Sequence, residues 1–239
     1  MYGYETASSL VTPGMFWILF FVSIGITLVA QLLVKSRYNK YKQVANHAGM
    51  TGAEVARRIL DNNGLQNIDI YRIEKELGDN YNPTKKSVNL SPEIFEGSSV
   101  ASLAVAAHEC GHAIQDKEGY SFMRLRMKMI PLLNAASTLS YISIFVGLLA
   151  SYTMMLEIGI IVQFVTLLFE LVTLPVEFDA SSRALKQLRE FNLFTNDEVG
   201  GATSMLKACA LTYVGALLTT LVQLLRLILI LQNNRSRRR

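Results

Sequence analysis

The feature that most constrains this chain is a run of twenty uncharged residues from Met15 to Val34, MFWILFFVSIGITLVAQLLV. A helix rises 1.5 Å per residue, so a run of this length covers the roughly 30 Å hydrocarbon core of a bilayer. The residues before it include no lysine or arginine, which a secretory signal peptide carries near its start. We therefore expect residues 15–34 to form an uncleaved transmembrane anchor.

A second apolar region, residues 131–176, is about twice as long as one membrane span and contains only two charged residues. Glu157, followed closely by Gly159, predicts the turn of a transmembrane hairpin. Glu170 falls inside the second arm of that hairpin. A carboxylate at this depth is either a functional group or a hydrogen-bonded helix contact, and the sequence leaves both open.

The last apolar stretch, residues 208–231, is also long enough to span a bilayer. It contains Arg226, whose long side chain can reach the membrane interface. A basic tail, residues 232–239, follows it. We expect 208–231 to be a C-terminal membrane helix, and a re-entrant or interfacial helix is the alternative.

Charges beside the apolar runs predict the orientation of the chain, because lysine and arginine concentrate at the cytoplasmic ends of membrane helices. Glu5 is the one charge before the anchor. Basic residues cluster after the anchor and before the hairpin: Lys35, Arg37, Lys40, Lys42, Arg124, Arg126 and Lys128. Residues 35–130 and 177–207 should therefore share the cytoplasmic face. The tail arginines run against this rule, because a spanning 208–231 helix places them outside.

Composition supports a membrane protein and argues against nucleic-acid binding. Hydrophobic residues make up 51% of the chain and charged residues 18%, against about 25% charged in ordinary soluble domains. The net charge of +4 comes from basic residues beside apolar runs, a pattern typical of membrane-helix ends. The two cysteines, Cys110 and Cys209, are too few to form a disulfide framework.

Residues 35–130 have the pattern of a small folded domain. Thr51 to Glu54 match a capping box, which predicts a helix ending at Gly64. A further helix is predicted over 98–116, which is rich in alanine and valine and lacks proline. Three elements are predicted between these helices: a strand over 68–73, a turn-rich stretch over 78–83 and a short returning strand over 87–90.

The predicted helix over 98–116 contains the sequence AVAAHECGHAIQ. Residues four apart share a helix face, so His108 and His112 can bind one metal ion. Glu109 points about 100° away and can reach a water on that ion, as in zinc metallopeptidases. Zinc lowers the pKa of a bound water to about 7, and the glutamate acts as general base. A chance match on a core helix is the alternative, but burying these three side chains without a purpose costs several kcal/mol.

A catalytic zinc site needs a third protein ligand and one open position. Glu177 is the candidate, because it follows the hairpin and so shares the predicted face of the two histidines. Asp179 is its rival; two residues on, it faces the other way on a helix, so only one of the two should reach the metal. We assign His47, the remaining histidine, to packing or the surface. Cys110 lies on a different helix face from the histidines and should be a small buried hydrophobe.

Three motifs, "MTGAEVARRIL", "VAAHECGHAIQ" and "LPVEFDASSRALKQL", resemble in this order the bacterial YugP family of neutral zinc metallopeptidases of the membrane. The likeness covers roughly residues 15–232. Wider relatives are membrane gluzincins such as the HtpX heat-shock protease and the CAAX prenyl endopeptidase. The resemblance implies a minigluzincin-type core, in which a β-hairpin edge lies above the motif helix and takes the substrate as an added strand.

The resemblance also implies how the site is supported. Glu177 matches the third-ligand glutamate of the wider group's Glu-x-x-Ala-Asp pattern, but Ser181 stands where that pattern has aspartate. The aspartate is expected to orient a ligand histidine. Here Ser181 could supply a weaker hydrogen bond, and Asp179 or Asp116 could compensate.

The group that stabilises the developing oxyanion is not evident from the sequence. The wider gluzincins use a histidine or tyrosine donor, and Tyr81 and Tyr213 are the candidates here. Arg183 could bind a substrate carbonyl, and the alternative is a structural ion pair with Asp179.

The sequence thus predicts a mainly α, multi-pass protein of the bacterial plasma membrane, with a small-sheet zinc peptidase core facing the cytoplasm. His108, His112 and Glu177 would hold zinc, and Glu109 would activate water to cleave peptides or membrane proteins at the lipid surface. The alternative is a non-catalytic, zinc-containing membrane scaffold or assembly factor. A small transporter that uses Glu170 and Arg226 is disfavoured, because the sequence shows no paired repeats and no broken helices in corresponding positions. A homo-oligomer or a regulatory membrane partner is left open.

Overall fold

The computed structural model describes residues 13–150 and 153–237. These residues form seven helices and three short strands, which confirms the predicted mainly α class with a small sheet. In chain order the elements are α1 (Pro13–Tyr41), α2 (Gly52–Asn62), β1 (Asp69–Arg72), β2 (Asn80–Asn82), β3 (Ser87–Leu90), α3 (Pro92–Phe95), α4 (Val100–Glu118), α5 (Ser121–Ala150), α6 (Thr153–Glu190) and α7 (Asn196–Arg237). Of the charges used to predict orientation, Glu5, Arg238 and Arg239 lie outside the described residues.

Three helices in the described part of the chain are long and apolar enough to cross a membrane. Their candidate spans are Gly14–Tyr41 in α1, Met154–Glu190 in α6 and Asn196–Arg235 in α7. The first arm of the predicted hairpin falls in α5, which begins ten residues before Pro131 and includes that proline. Membrane crossing by α5 stays a prediction.

The predicted turn at Glu157 is wrong. Both Glu157 and Gly159 lie within the first two turns of α6. Glutamate is a good helix former, so a single carboxylate in an apolar run does not end a helix, and here Arg235 of α7 donates to Glu157. The connection between α5 and α6 lies outside the described residues. Helix α6 then runs without a break through Pro175, and α7 through residue 208.

The chain divides into two compact units, and α1, α5, α6 and α7 contribute residues to both. The membrane unit comprises Met1–Val29, Arg126–Val172 and Tyr213–Arg239. Its described part exposes large apolar side chains and turns several polar ones inward. Helix α7 runs antiparallel to α6, as the contacts of Thr220 with Glu170 and of Gln223 with Gln163 indicate. It also runs antiparallel to α1, where Thr219 contacts Thr27 and Arg226 lies over the ring of Phe20.

The site unit comprises Ala30–Leu125 and Thr173–Thr212 and contains the sheet. Strand β3 lies in the middle, parallel to β1 and antiparallel to β2. The turn-rich stretch 78–83 therefore holds a strand that the sequence did not predict. It was missed because Asn-Tyr-Asn is short and its residue types favour turns. The returning strand over 87–90 is present, but its antiparallel partner is β2.

Helices α2 and α4 form the core of the site unit. The predicted capping box is present, with Thr51 and Glu54 bonding each other's backbone N–H groups. Apolar side chains of α2 pack against α4: Val55, Ala56, Ile59 and Leu60 are fully buried. Helix α4 matches the predicted helix over 98–116 to within two residues at each end, from an N-cap at Ser99 to Gly119 in the left-handed conformation.

Candidate metal centre

Helices α4 and α6 bring the candidate ligands together inside the site unit. His108 and His112 lie one turn apart on α4, and Glu177 lies on α6. Gly111 makes this approach possible, because a Cβ placed there would lie 2.6 Å from the carbonyl oxygen of Ala180. The absence of a side chain at residue 111 therefore allows the backbone of α6 to come close enough for Glu177 to reach both imidazoles.

The three side chains converge on one point. Oε2 of Glu177 lies 3.3 Å from Nε2 of His108 and 3.6 Å from Nε2 of His112. Ligand atoms of the three residues all lie within 4.8 Å of one another. Tetrahedral zinc with bonds of about 2.0–2.1 Å places its ligand atoms about 3.4 Å apart. Two imidazoles and one carboxylate are a common catalytic zinc set, so these residues fit the metal.

The other nitrogen of each imidazole already has a partner. Nδ1 of His108 lies 3.3 Å from the hydroxyl of Ser181, and Nδ1 of His112 lies 3.0 Å from Oε1 of Gln115. Metal-binding histidines usually engage their second nitrogen in this way, which fixes the ring. Both Nε2 atoms are thus left facing Glu177.

Asp179 lies close to the centre, but it is not one of the three converging residues. It accepts hydrogen bonds from Nε2 of Gln115 at 2.8 Å and from Nε of Arg183 at 2.5 Å. The contact of Arg183 with Asp179 is the structural ion pair that was one of the two predicted roles of Arg183, and Arg183 also donates to Glu118 at 2.6 Å. Sequence reasoning missed Gln115. Its position three residues after His112 was the available signal, because such residues share a helix face.

Glu109 is 7% exposed and lies beside the converging ligands. Burial raises the pKa of this carboxyl to about 7, and His108 and a hydrogen bond from the backbone N–H of Tyr81 lower it in part. The negative charge of Glu177 adds to the increase in the pKa of Glu109. A glutamate with a pKa near neutrality can accept a proton and release it again, which is what a general base and acid must do.

The remaining candidates occupy other places. The structure does not support Tyr81 as the oxyanion donor, because its hydroxyl already donates a hydrogen bond to Asp116 at 2.6 Å. Asp116 also pairs with Lys86 and so does not support a histidine. Tyr213 belongs to the membrane unit, and its role stays a prediction.

His47 and Cys110 lie where the sequence indicated. His47 is exposed, and its backbone N–H bonds Glu198. Cys110 is fully buried; its thiol contacts the carbonyl of Ala56, and burial raises its pKa. Glu170, in the membrane unit, accepts a hydrogen bond from Thr220, as expected of a helix contact.

Comparison with known families decides the class of this centre. The family described as "Putative neutral zinc metallopeptidase" matches residues 16–232. The chain belongs to this family. It is also 40% identical over 222 residues to "Putative membrane protease YugP" of Bacillus subtilis (strain 168), covering 93% of this chain and 99% of that protein. No solved structure matches the chain significantly. Membership confirms the resemblance and zinc as the cofactor, and it agrees with the His-His-Glu group and the three apolar helices.

Proposed function

We propose that this chain is a membrane-embedded zinc endopeptidase in which His108, His112 and Glu177 hold the metal and Glu109 is the general base. The observation that carries the proposal is the convergence of two imidazole nitrogens on one carboxylate oxygen, with a second carboxylate beside them. Family membership supports the peptidase class and zinc. The residue roles come from the geometry and from the chemistry of these side chains.

Each residue has a defined task in peptide hydrolysis. Zinc, when bound, supplies a Lewis acid that activates water at neutral pH and polarises the substrate carbonyl. Glu109 accepts the proton of the attacking water on a carboxylate oxygen and passes it to the nitrogen of the leaving amine. The hydrogen bond from the N–H of Tyr81 holds the Glu109 carboxylate in position. Ser181 and Gln115 hold the imidazole rings.

The substrates we propose are membrane proteins or hydrophobic peptides close to the bilayer. Glu177 belongs to α6, whose candidate span is Met154–Glu190, so the proposed third ligand is part of a membrane helix. Strand β2 is an edge strand, and the N–H of its central residue, Tyr81, points at the proposed base. An extended peptide that adds to this edge would bring its carbonyl groups to Glu109.

Cleavage of an unfolded protein such as casein by the full chain in detergent tests the function. Zinc content is measured on the same samples, and wild type is compared with Glu109→Gln. We expect zinc in both proteins and a loss of cleavage of about 10²–10⁴-fold in the variant. Zinc in both without any Glu109-dependent cleavage, even of proteins that co-purify with Glu109→Gln, would instead support the non-catalytic scaffold.

We also propose that residues 35–130 and 177–207 face the cytoplasm across the bacterial plasma membrane, with 15–34, the 131–176 hairpin and 208–231 crossing it. The antiparallel contacts of α7 with α6 and α1 support a spanning α7. The pair of Glu157 with Arg235 neutralises one tail charge that runs against the positive-inside rule. Single cysteines at residues 43 and 234, in a chain free of other cysteines, should label from opposite sides of the membrane with an impermeant maleimide.

A further inference from the structure

The side-chain amide of Gln115 is fully buried and makes three polar contacts. Its Nε2 donates to the carbonyl oxygen of Val176 and to the carboxylate of Asp179, each at 2.8 Å. Its Oε1 lies 3.0 Å from Nδ1 of His112. An amide nitrogen has two hydrogens, and here both have acceptors. The reverse orientation would turn the amide oxygen toward two acceptors, so the oxygen must face His112.

This amide orientation selects the tautomer of the neutral His112 imidazole. An oxygen opposite Nδ1 requires that Nδ1 carry the hydrogen. In a neutral imidazole Nε2 then has the free electron pair, and that atom is the one that faces Glu177. The contact of His108 is different, because the hydroxyl of Ser181 can either donate or accept and so selects no tautomer. The hydrogen-bond partner of His112 therefore selects one tautomer, whereas that of His108 does not.

We propose that Asp179 is a positioning residue that acts through Gln115 to set the tautomer and ring direction of His112. Arg183 holds the Asp179 carboxylate at 2.5 Å, and Glu118 holds Arg183. Ser181 replaces the aspartate that would orient His108. The hydrogen-bonded series Asp179–Gln115–His112 performs the same orienting role for His112 instead. The inference rests on the proposed metal centre.

Zinc affinity, measured by competition with a chromophoric chelator, tests this on the full chain in detergent without any use of activity. We expect Asp179→Ala and Gln115→Leu each to weaken zinc binding by about 10–100-fold, the usual effect of losing an outer hydrogen-bond partner. The double variant should bind no more weakly than Gln115→Leu alone, because Asp179 acts through Gln115. Glu190→Ala, which removes a surface pair from the same helix, is the control.

Three outcomes have distinct meanings. If wild type binds no zinc, the proposed metal centre fails. If wild type binds zinc and Asp179→Ala has the same zinc affinity as Glu190→Ala, only the positioning role fails. The same holds if the losses of zinc affinity in Asp179→Ala and Gln115→Leu multiply in the double variant. Should Gln115→Leu not fold, Asp179→Asn keeps an acceptor for Gln115. It should retain more zinc affinity than Asp179→Ala, and equal affinities would contradict the role.

¹⁵N NMR of the imidazole rings supplies a second readout, the tautomer of His112, which would not change if Gln115 only contributed to packing. The chain has three histidines, so ¹⁵N-imidazole labelling gives three rings, and His47→Gln assigns one of them. In the cadmium-loaded chain we expect ¹¹³Cd coupling to Nε2 of His112 and a slowly exchanging hydrogen on its Nδ1. The slow exchange should be lost in Gln115→Leu. Coupling to Nδ1 would overturn the inference.

Discussion

The two units of this chain bury opposite kinds of side chain. In the site unit, apolar residues such as Ile59, Leu60 and Leu103 are fully buried. In the membrane unit, Phe21 is 63% exposed and Ile161 is 64% exposed on the protein surface, where lipid would cover them. An apolar side chain therefore stabilises the fold mainly where protein atoms enclose it.

Polar groups differ between the units as well. Around the metal centre they form a connected set that runs from Glu118 to His112. In the membrane unit they join neighbouring helices in pairs, such as Thr220 with Glu170. Helix α6 contains both kinds of carboxylate two turns apart, Glu170 and Glu177. Along this one helix, Glu177 lies in the candidate metal centre, whereas Glu170 makes a helix contact.

The largest effect should come from comparing those two carboxylates. Glu177→Gln should weaken zinc binding by more than about 100-fold, beyond what the loss of an outer partner costs, because a ligand is lost. Glu170→Gln should bind zinc as wild type does. Chelator competition on both variants is the measurement, and equal zinc affinities would remove Glu177 from the site.

Truncation of an apolar side chain should lower the free energy of unfolding more in the site unit than in the membrane unit. Leu60→Ala should lower the free energy of unfolding by about 2–5 kcal/mol, because it leaves a cavity in a packed core. Phe21→Ala should cost less than about 0.5 kcal/mol, because its ring is surrounded mainly by lipid or detergent. Denaturant titrations in the same detergent compare them, and a larger cost for Phe21→Ala would show that this ring packs against protein.

Replacing one glycine in each unit should show where the backbone needs a residue without a side chain. Gly111→Ala should lower the free energy of unfolding by about 1–3 kcal/mol and weaken zinc binding, because its methyl group would collide with Ala180 and push α6 away. In Gly25→Ala the added carbon meets no atom within 4 Å. That variant should be neutral or more stable by up to about 1 kcal/mol. Normal zinc affinity in Gly111→Ala would mean that close helix contact is not required.

The smallest effect belongs to a hydrogen bond in the membrane unit. Thr220→Val removes the bond to Glu170 and should cost about 0.6 kcal/mol, the average for such bonds between membrane helices. Among the residues that the structure describes, Thr166 bonds only within its own helix, to Val162, so Thr166→Val is the matched control and should change stability less. The same titrations distinguish the two, and the reverse order would contradict a stabilising role for the Glu170 contact.

Much of this organisation could be predicted from local sequence patterns. Apolar runs predicted the three candidate spans in α1, α6 and α7, the capping box predicted α2, and the spacing of His108 and His112 predicted two neighbouring imidazoles. Each of these features is contained in one continuous segment of the chain, which is why a single sequence reveals it.

What the sequence did not reveal depends on contacts between separate elements. Strand β2 forms by pairing with β3, and Glu157 of α6 meets Arg235 of α7. Gln115 meets Val176 and Asp179 only when α4 and α6 pack. The Glu-x-x-Ala-Asp pattern directed attention to Ser181, whereas the better-connected support lies on the other histidine.

The central claim is that one metal ion binds between α4 and α6 through two imidazoles and one carboxylate. X-ray absorption at the zinc edge, on the full chain in detergent, tests it most directly. We predict about one zinc per chain, nitrogen and oxygen neighbours at about 2.0–2.2 Å with scattering from two imidazole rings, and loss of the carboxylate contribution in Glu177→Gln. A sulfur neighbour at about 2.3 Å would place Cys110 or Cys209 on the metal and contradict the account.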